Sequence, residues 1–182
     1  MTIPELSDEE TKALWKVFRF NLREARRCES AKAFLAGSVM VGAALETILI
    51  LMVDCYPDEA LATGLVPFYK KQSKSPIDWN LAELLRVAKK ANWLPNEGLD
   101  VESNWTGKRP KVGDYAEVVK KVRNFLHPGR YIKDYHPKRI TSKILANQFN
   151  IVQSCREWLG HKNEEGLRKT IEEYERSKIL SK

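Results

Sequence analysis

Apolar residues recur along this chain at intervals of three and four, and runs that alternate polar with apolar are absent. Ser7 and Glu10 have the spacing of a capping box, with acids in the first turn beyond it. They predict a helix over residues 7–28, with Leu14, Phe18, Leu22 and Ala25 on its apolar stripe and Trp15 beside it. Residues 30–55 predict a second, very apolar helix, packed through Phe34, Val41, Leu45, Ile48, Leu49 and Met52 and ended by Pro57. Residues 57–77 read as irregular, with a short helical turn at 58–63. Asn80 and Glu83 make a second capping box, opening a helix to about Trp93 that Pro95 and Gly98 close. A loop rich in Gly, Asn and Pro spans 95–112. Asp114 and Glu117 make a third box of the same kind, whose helix carries Val118, Val119, Val122 and Leu126 and stops at His127, before Pro128. Thr141 caps a helix to about Leu159, with Gly160 as its C′ residue. A charged amphipathic helix over 164–179 completes the pattern.

These elements predict an all-α fold, an up-and-down bundle of four to six helices. Residues 1–162 form the expected domain, and residues 163–182 a charged C-terminal helix that docks on it or protrudes. At 182 residues, 43% apolar and 30% charged, the chain has the composition and length of a globular protein with a sizeable core. The apolar run at 33–53 is long enough to cross a bilayer. Glu46 lies well inside it, where a charge is costly in lipid, and Gly37, Ser38, Gly42 and Thr47 dilute its hydrophobicity. A core helix wrapped by others is the better reading, with no membrane partner. The first ten residues are acidic and lack an apolar stretch, so no signal peptide is expected. Cys28, Cys55 and Cys155 are odd in number with no C-x-x-C pair, and read as small buried hydrophobes in a reducing, cytoplasmic setting. No cofactor and no metal are expected: Asp134, His136 and His161 lack ligand spacing, and neither a Gly-rich phosphate loop nor a G-x-S-x-G or H-E-x-x-H motif occurs.

Charge changes this picture. Residues 108–143 hold eleven Lys/Arg against three Asp/Glu, while the net charge of the whole chain is +7. The positive charge is therefore local, and it suggests a polyanionic partner, RNA, DNA or an anionic lipid surface, the alternative being that it serves solubility alone. Inside this segment Arg123 and His127 stand four apart at a helix end, a spacing that stacks two side chains on one face. Imidazole exchanges protons near neutral pH, and guanidinium presents a planar fork to phosphate oxygens. Together they can hold a phosphodiester and move a proton at a ribose 2′-hydroxyl without a metal. Asn124 is placed to orient either group, and Pro128-Gly129 turns the chain so that Arg130 and Tyr131 fold back. Lys120, Lys121, Arg130 and Lys133 would draw in a backbone, and Tyr131, with Trp105 and Tyr135, would stack bases. The structural alternative is that Arg123 and His127 only cap a helix C-terminus. Glu46 is either a site residue facing Arg123 or a buried acid paired with any helix cation; a basic partner is expected either way, because burying it unpaired is costly, and a Glu46–Arg123 pair would support structure as much as catalysis.

Three segments resemble the HEPN superfamily of small all-α domains. Residues 34–49, with Gly42, Leu45, Glu46 and Leu49, look like the family's long core helix. Residues 81–94 look like the short helix that follows, and Arg123-Asn-Phe-Leu-His127-Pro-Gly-Arg resembles the family's Arg/His signature. The resemblance covers roughly residues 10–160. It implies a site often completed across a homodimer interface which, in active members, cleaves RNA without a metal and leaves a cyclic phosphate. It also implies toxin or phage-defence roles, with a protein partner such as an antitoxin or another system component. Other members have lost activity and serve as dimerisation or nucleic-acid-binding modules, so whether this chain is an enzyme stays open. The signature departs from the usual spacing: three residues separate Arg123 from His127, where the family has four to six. A second match, Arg130 to His136, has five intervening residues, but Tyr131 follows its arginine and Pro137 its histidine.

Overall fold

The structure, a computed structural model, describes residues 2–70, 72–99, 105–124, 128, 129, 132 and 140–180, of which 167 and 169–180 by backbone alone. It is an all-α bundle. Six α-helices are described: α1 (Asp8–Ser30), α2 (Phe34–Cys55), α3 (Pro57–Ala62), α4 (Leu81–Lys90), α5 (Val112–Arg123) and α6 (Ser142–Leu180). One feature departs from the strand-free expectation. Phe68–Tyr69 and Gln72–Ser73 form a minimal antiparallel ladder, Phe68 opposite Ser73, within the stretch read as irregular.

Helix α2 is the axis of the bundle. It is apolar around most of its circumference, and such a helix is stable in water only when other helices enclose it. Its length and composition would also suit a membrane span, but α1, α4, α5 and α6 pack around it and bury most of its residues. Val41, Leu45, Leu49 and Val53 on α2 form one core with Ala25, Leu84, Leu85, Val119, Leu145 and Leu159 from the surrounding helices. Gly37 lets α6 come close, because a methyl there would meet Leu145 Cδ2 at 2.7 Å. Of the cysteines, Cys155 is buried and its thiol is pushed up to about 12 by burial. Cys55, expected to be buried, is exposed at the end of α2.

Local signals set two of the helix starts. The Ser7 hydroxyl accepts from Glu10 N at 3.3 Å and Glu10 accepts from Ser7 N at 2.8 Å. Asn80 and Glu83 make the same reciprocal pair at 3.0 and 2.8 Å. The third expected box is different. Helix α5 starts at Val112, so Asp114 is the third helical residue and not the cap. Its buried carboxylate accepts from the backbone N–H of Lys111 (2.9 Å), Glu97 (2.9 Å) and Leu99 (3.0 Å). It thereby ties the preceding loop to the first turn of α5. Gly113 completes this junction, since a methyl there would meet Leu94 O at 2.6 Å.

The expected stop at Gly160 also fails: α6 runs unbroken from Ser142 to Leu180. Glycine in a helix interior costs about 1 kcal/mol relative to alanine, and here contacts beyond it offset that cost. The Tyr56 hydroxyl lies 3.2 Å from Lys162 O and 3.1 Å from Asn163 Oδ1. A methyl at Gly166 would run into the Tyr56 hydroxyl, so the tyrosine would have to shift. Glu59 on α3 accepts from Lys162 Nζ at 3.0 Å and from Trp93 Nε1 at 2.6 Å. A latch built from α3 and the ends of α2 and α4 therefore holds α6 helical past residue 160.

A buried amide on α6 goes unsatisfied among the described residues. Gln148 is 1% exposed, and neither its Nε2 nor its Oε1 is hydrogen-bonded. An unpaired buried amide costs about 1–3 kcal/mol. Gln148→Leu, close in volume, is expected to raise stability by about 1 kcal/mol or more; urea unfolding that shows Gln148→Leu no more stable than wild type would refute this account of the residue.

Candidate functional site

The last turn of α5 lies against the middle of α2. Gly42 and Glu46 occupy successive turns on one face of α2. Gly42 leaves room for the stem of Arg123: a methyl at 42 would sit 2.9–3.1 Å from its Cβ, Cγ and Cδ. One turn further along, the guanidinium meets Glu46 in a fork, Nη1 to Oε1 at 3.0 Å and Nη2 to Oε2 at 2.7 Å. The side chains keep 30% and 19% exposure, so the pair is half-buried and still touches solvent. This answers the cost of placing a carboxylate in an apolar helix, and it orients the arginine. The fork occupies two of the guanidinium's N–H groups, and a guanidinium has donors beyond those two to offer an anion.

Glu117 makes a second ionic node on the same helix. It binds both Lys120, one turn on, and Lys89 from α4. Burial pushes its carboxyl up, but the two ammonium groups outweigh this and leave it below its usual value. Lys120 is thus engaged, and Lys121 is half-buried. Asn124 is exposed just past the helix, and its backbone N–H donates to the carbonyls of Lys120 and Val122. Arg123 and Asn124 therefore face different directions, one against α2 and the other to solvent.

His127, Arg130, Tyr131 and Lys133 lie outside the described residues, as do Tyr135, His136 and the expected helix end at His127. Of the aromatic trio, Trp105 is described; it packs edge-on against Tyr115 of α5 with ring centroids 5.5 Å apart. That pair lines a groove of about 640 Å³ between α5 and α6, with Val118, Asn147, Asn150 and Ile151. Among the described residues, no three His, Cys, Asp or Glu side chains converge as a metal site would require. Sequence periodicity does not reveal the Gly42 cradle, whose only local sign is a small residue one turn before Glu46. Nor does it reveal the Glu117 node, because Lys89 is distant in the chain. No protein-family model matches this chain, and no curated protein or solved structure matches it either.

The fork can be measured by a double-mutant cycle of Arg123→Ala and Glu46→Ala followed by urea unfolding. Each single change is expected to cost about 1–3 kcal/mol, below the cost of breaking a fully buried pair because both groups touch water. Their coupling should exceed about 0.5 kcal/mol; additive effects would mean that the fork contributes nothing. For Asp114, burial pushes the carboxyl up, and the three backbone N–H donors and the Lys89 charge more than reverse this, so it sits below its ordinary value. A carboxyl depressed in the folded state stabilises fully above its unfolded pKa of about 3.9 and loses that contribution as pH falls through the folded value. Asp114→Asn should therefore destabilise at pH 7, and its deficit relative to wild type should shrink as pH falls below about 4. A deficit that is constant between pH 7 and pH 3 would rule this out.

Proposed function

We propose that this protein is a HEPN-like, cytoplasmic, RNA-associated protein with metal-independent endoribonuclease activity centred on Arg123 and His127. The observation that carries the reading is the orientation of Arg123: Glu46 fixes its fork at the end of α5 while leaving it partly open to solvent. A preorganised guanidinium of this kind suits the charge that develops on a phosphodiester in the transition state. In the reaction, the ribose 2′-oxygen attacks the adjacent phosphorus and the bond to the 5′-oxygen breaks, leaving a 2′,3′-cyclic phosphate. Arg123 holds the non-bridging oxygens. His127 takes the 2′-hydroxyl proton or delivers one to the leaving 5′-oxygen. Glu46 positions Arg123, Asn124 orients the strand, and Lys120, Lys121, Arg130, Lys133 and Tyr131 hold the flanking nucleotides. The protein acts as a homodimer in a toxin or phage-defence setting, alongside a protein partner.

A second reading rests on the same fork. Glu46 and Gly42 engage Arg123 so fully that the pair can serve as a structural tie between α2 and α5. The protein would then be an inactive dimerisation or nucleic-acid-binding module of the same family. Incubation of the purified protein with RNA in EDTA separates the two. The enzyme reading expects cleavage to cyclic-phosphate ends, falling about 100-fold or more in His127→Ala while thermal stability is retained. Intact RNA with wild type, together with a lowered melting temperature for Arg123→Ala, would leave the module.

A further inference from the structure

We infer that the groove between α1 and α6 is a second binding surface, built for the backbone and bases of single-stranded RNA. Between Lys12 and Arg27, α1 carries six Lys/Arg and one acid. Lys12, Lys16, Arg19, Arg23 and Arg26 follow a 4-3-4-3 spacing, which aligns them as one stripe about 21 Å long on one side of the helix. All five are exposed. Among the described residues, Lys12, Lys16, Arg19 and Arg23 have no acidic partner, whereas Arg26 pairs with Glu29 at 2.8 Å and Arg27 with Glu24 at 2.6 Å. The uncompensated charge therefore lies along the middle of the stripe.

This stripe borders a concave surface. A groove of about 590 Å³ runs between the helices, lined by Arg23, Arg26 and Arg27 on one wall and Phe149, Asn150 and Gln153 on the other. Between the walls the Arg26 guanidinium lies 3.8 Å over the Phe149 ring. The Arg26 side chain is 63% exposed, so the outer face of the guanidinium is open. A cation held flat on an aromatic ring, with its other face in water, is a platform on which a base can stack. Asn150 and Gln153 bring amide groups to the same wall; Gln153 already donates to Glu157 at 2.7 Å. Phe18 also lines the groove, and Arg156 from α6 approaches its ring at 6.0 Å.

A single strand is favoured over a lipid surface because Arg23, Arg26 and Arg27 line a concave groove beside the Phe149 platform, where a base can stack and a flat bilayer does not enter. Asn150 lines this groove and also the one between α5 and α6. Arg123 lines neither groove, so a strand lying here is distinct from one held at Arg123. The choice of RNA over another single strand rests on the function proposed above; the stripe and the platform do not.

The test uses the full chain and a fluorescein-labelled 20-nucleotide 2′-O-methyl oligouridylate, which lacks the hydroxyl needed for cleavage and so reports binding alone. Lys16→Gln/Arg19→Gln/Arg23→Gln is expected to weaken binding at least tenfold at 100 mM NaCl. It should also lower the slope of log affinity against log salt by about 2, at roughly 0.7 for each phosphate the variant no longer neutralises. Arg26→Lys keeps the charge and removes the plane, so it should weaken binding several-fold with the slope unchanged. Circular dichroism on each variant checks that the fold persists. Affinity and slope within twofold of wild type in the triple variant would overturn the inference, as would a triple variant that loses capture by phosphatidylserine vesicles and still binds the oligonucleotide. An absence of cleavage in EDTA with these binding losses intact would sink only the ribonuclease reading.

Discussion

The need to enclose α2 governs this structure. A 22-residue helix that is apolar on most sides cannot face water, so α1, α4, α5 and α6 are arranged around it as staves around a post. Small residues on α2 set how near those neighbours come. Gly37 admits Leu145 of α6, and Gly42 admits the stem of Arg123 from α5. A single ionisable side chain in the middle of the helix, Glu46, then becomes a demand that a neighbour must meet, because a half-buried carboxylate without a counter-charge is costly. The end of α5 meets it. The fork between Arg123 and Glu46 is thus a consequence of the packing as much as a feature of a site.

Polar contacts then lock the outer helices in place. Asp114 gathers three backbone N–H groups and joins the loop after α4 to the start of α5. Glu117 spans from α5 to Lys89 of α4. Tyr56 and Glu59 reach from α2 and α3 to α6. These ties position Arg123 at the end of a short helix whose start and middle are both fixed. They also leave two grooves beside α6. One is lined by the Trp105–Tyr115 pair, the other by the α1 arginines and Phe149. The positive charge concentrated in residues 108–143 is therefore one of two basic regions. The second is masked in a charge count because acids at the two ends of α1 offset it.

Much of the secondary structure could be read directly from the chain. The capping boxes at Ser7 and Asn80 formed as their spacing implied, since a cap involves residues three apart. The box at Asp114 misled, because Glu97 and Leu99, fifteen or more residues earlier, supply N–H donors that recruit the same carboxylate. Gly160 misled for a similar reason. As a local signal it ends a helix, but Tyr56, more than a hundred residues away, holds the next turns in register. The candidate site divides the same way. Arg123, Asn124 and Glu46 were identifiable as residue types at suggestive positions, and the partnership of Arg123 with Glu46 crosses 77 residues.

What the sequence determined alone was therefore where most of the helices begin, the identity of the central one, the all-α class and the local concentration of positive charge. Periodicity and capping act over a few residues, so they survive without any knowledge of neighbours. The tertiary structure decided which cation answers Glu46, where α6 stops, and which basic face borders a cavity. Each of those outcomes depends on side chains far apart in the chain meeting at van der Waals or hydrogen-bond distance, and only the closing of helices around α2 brings them together.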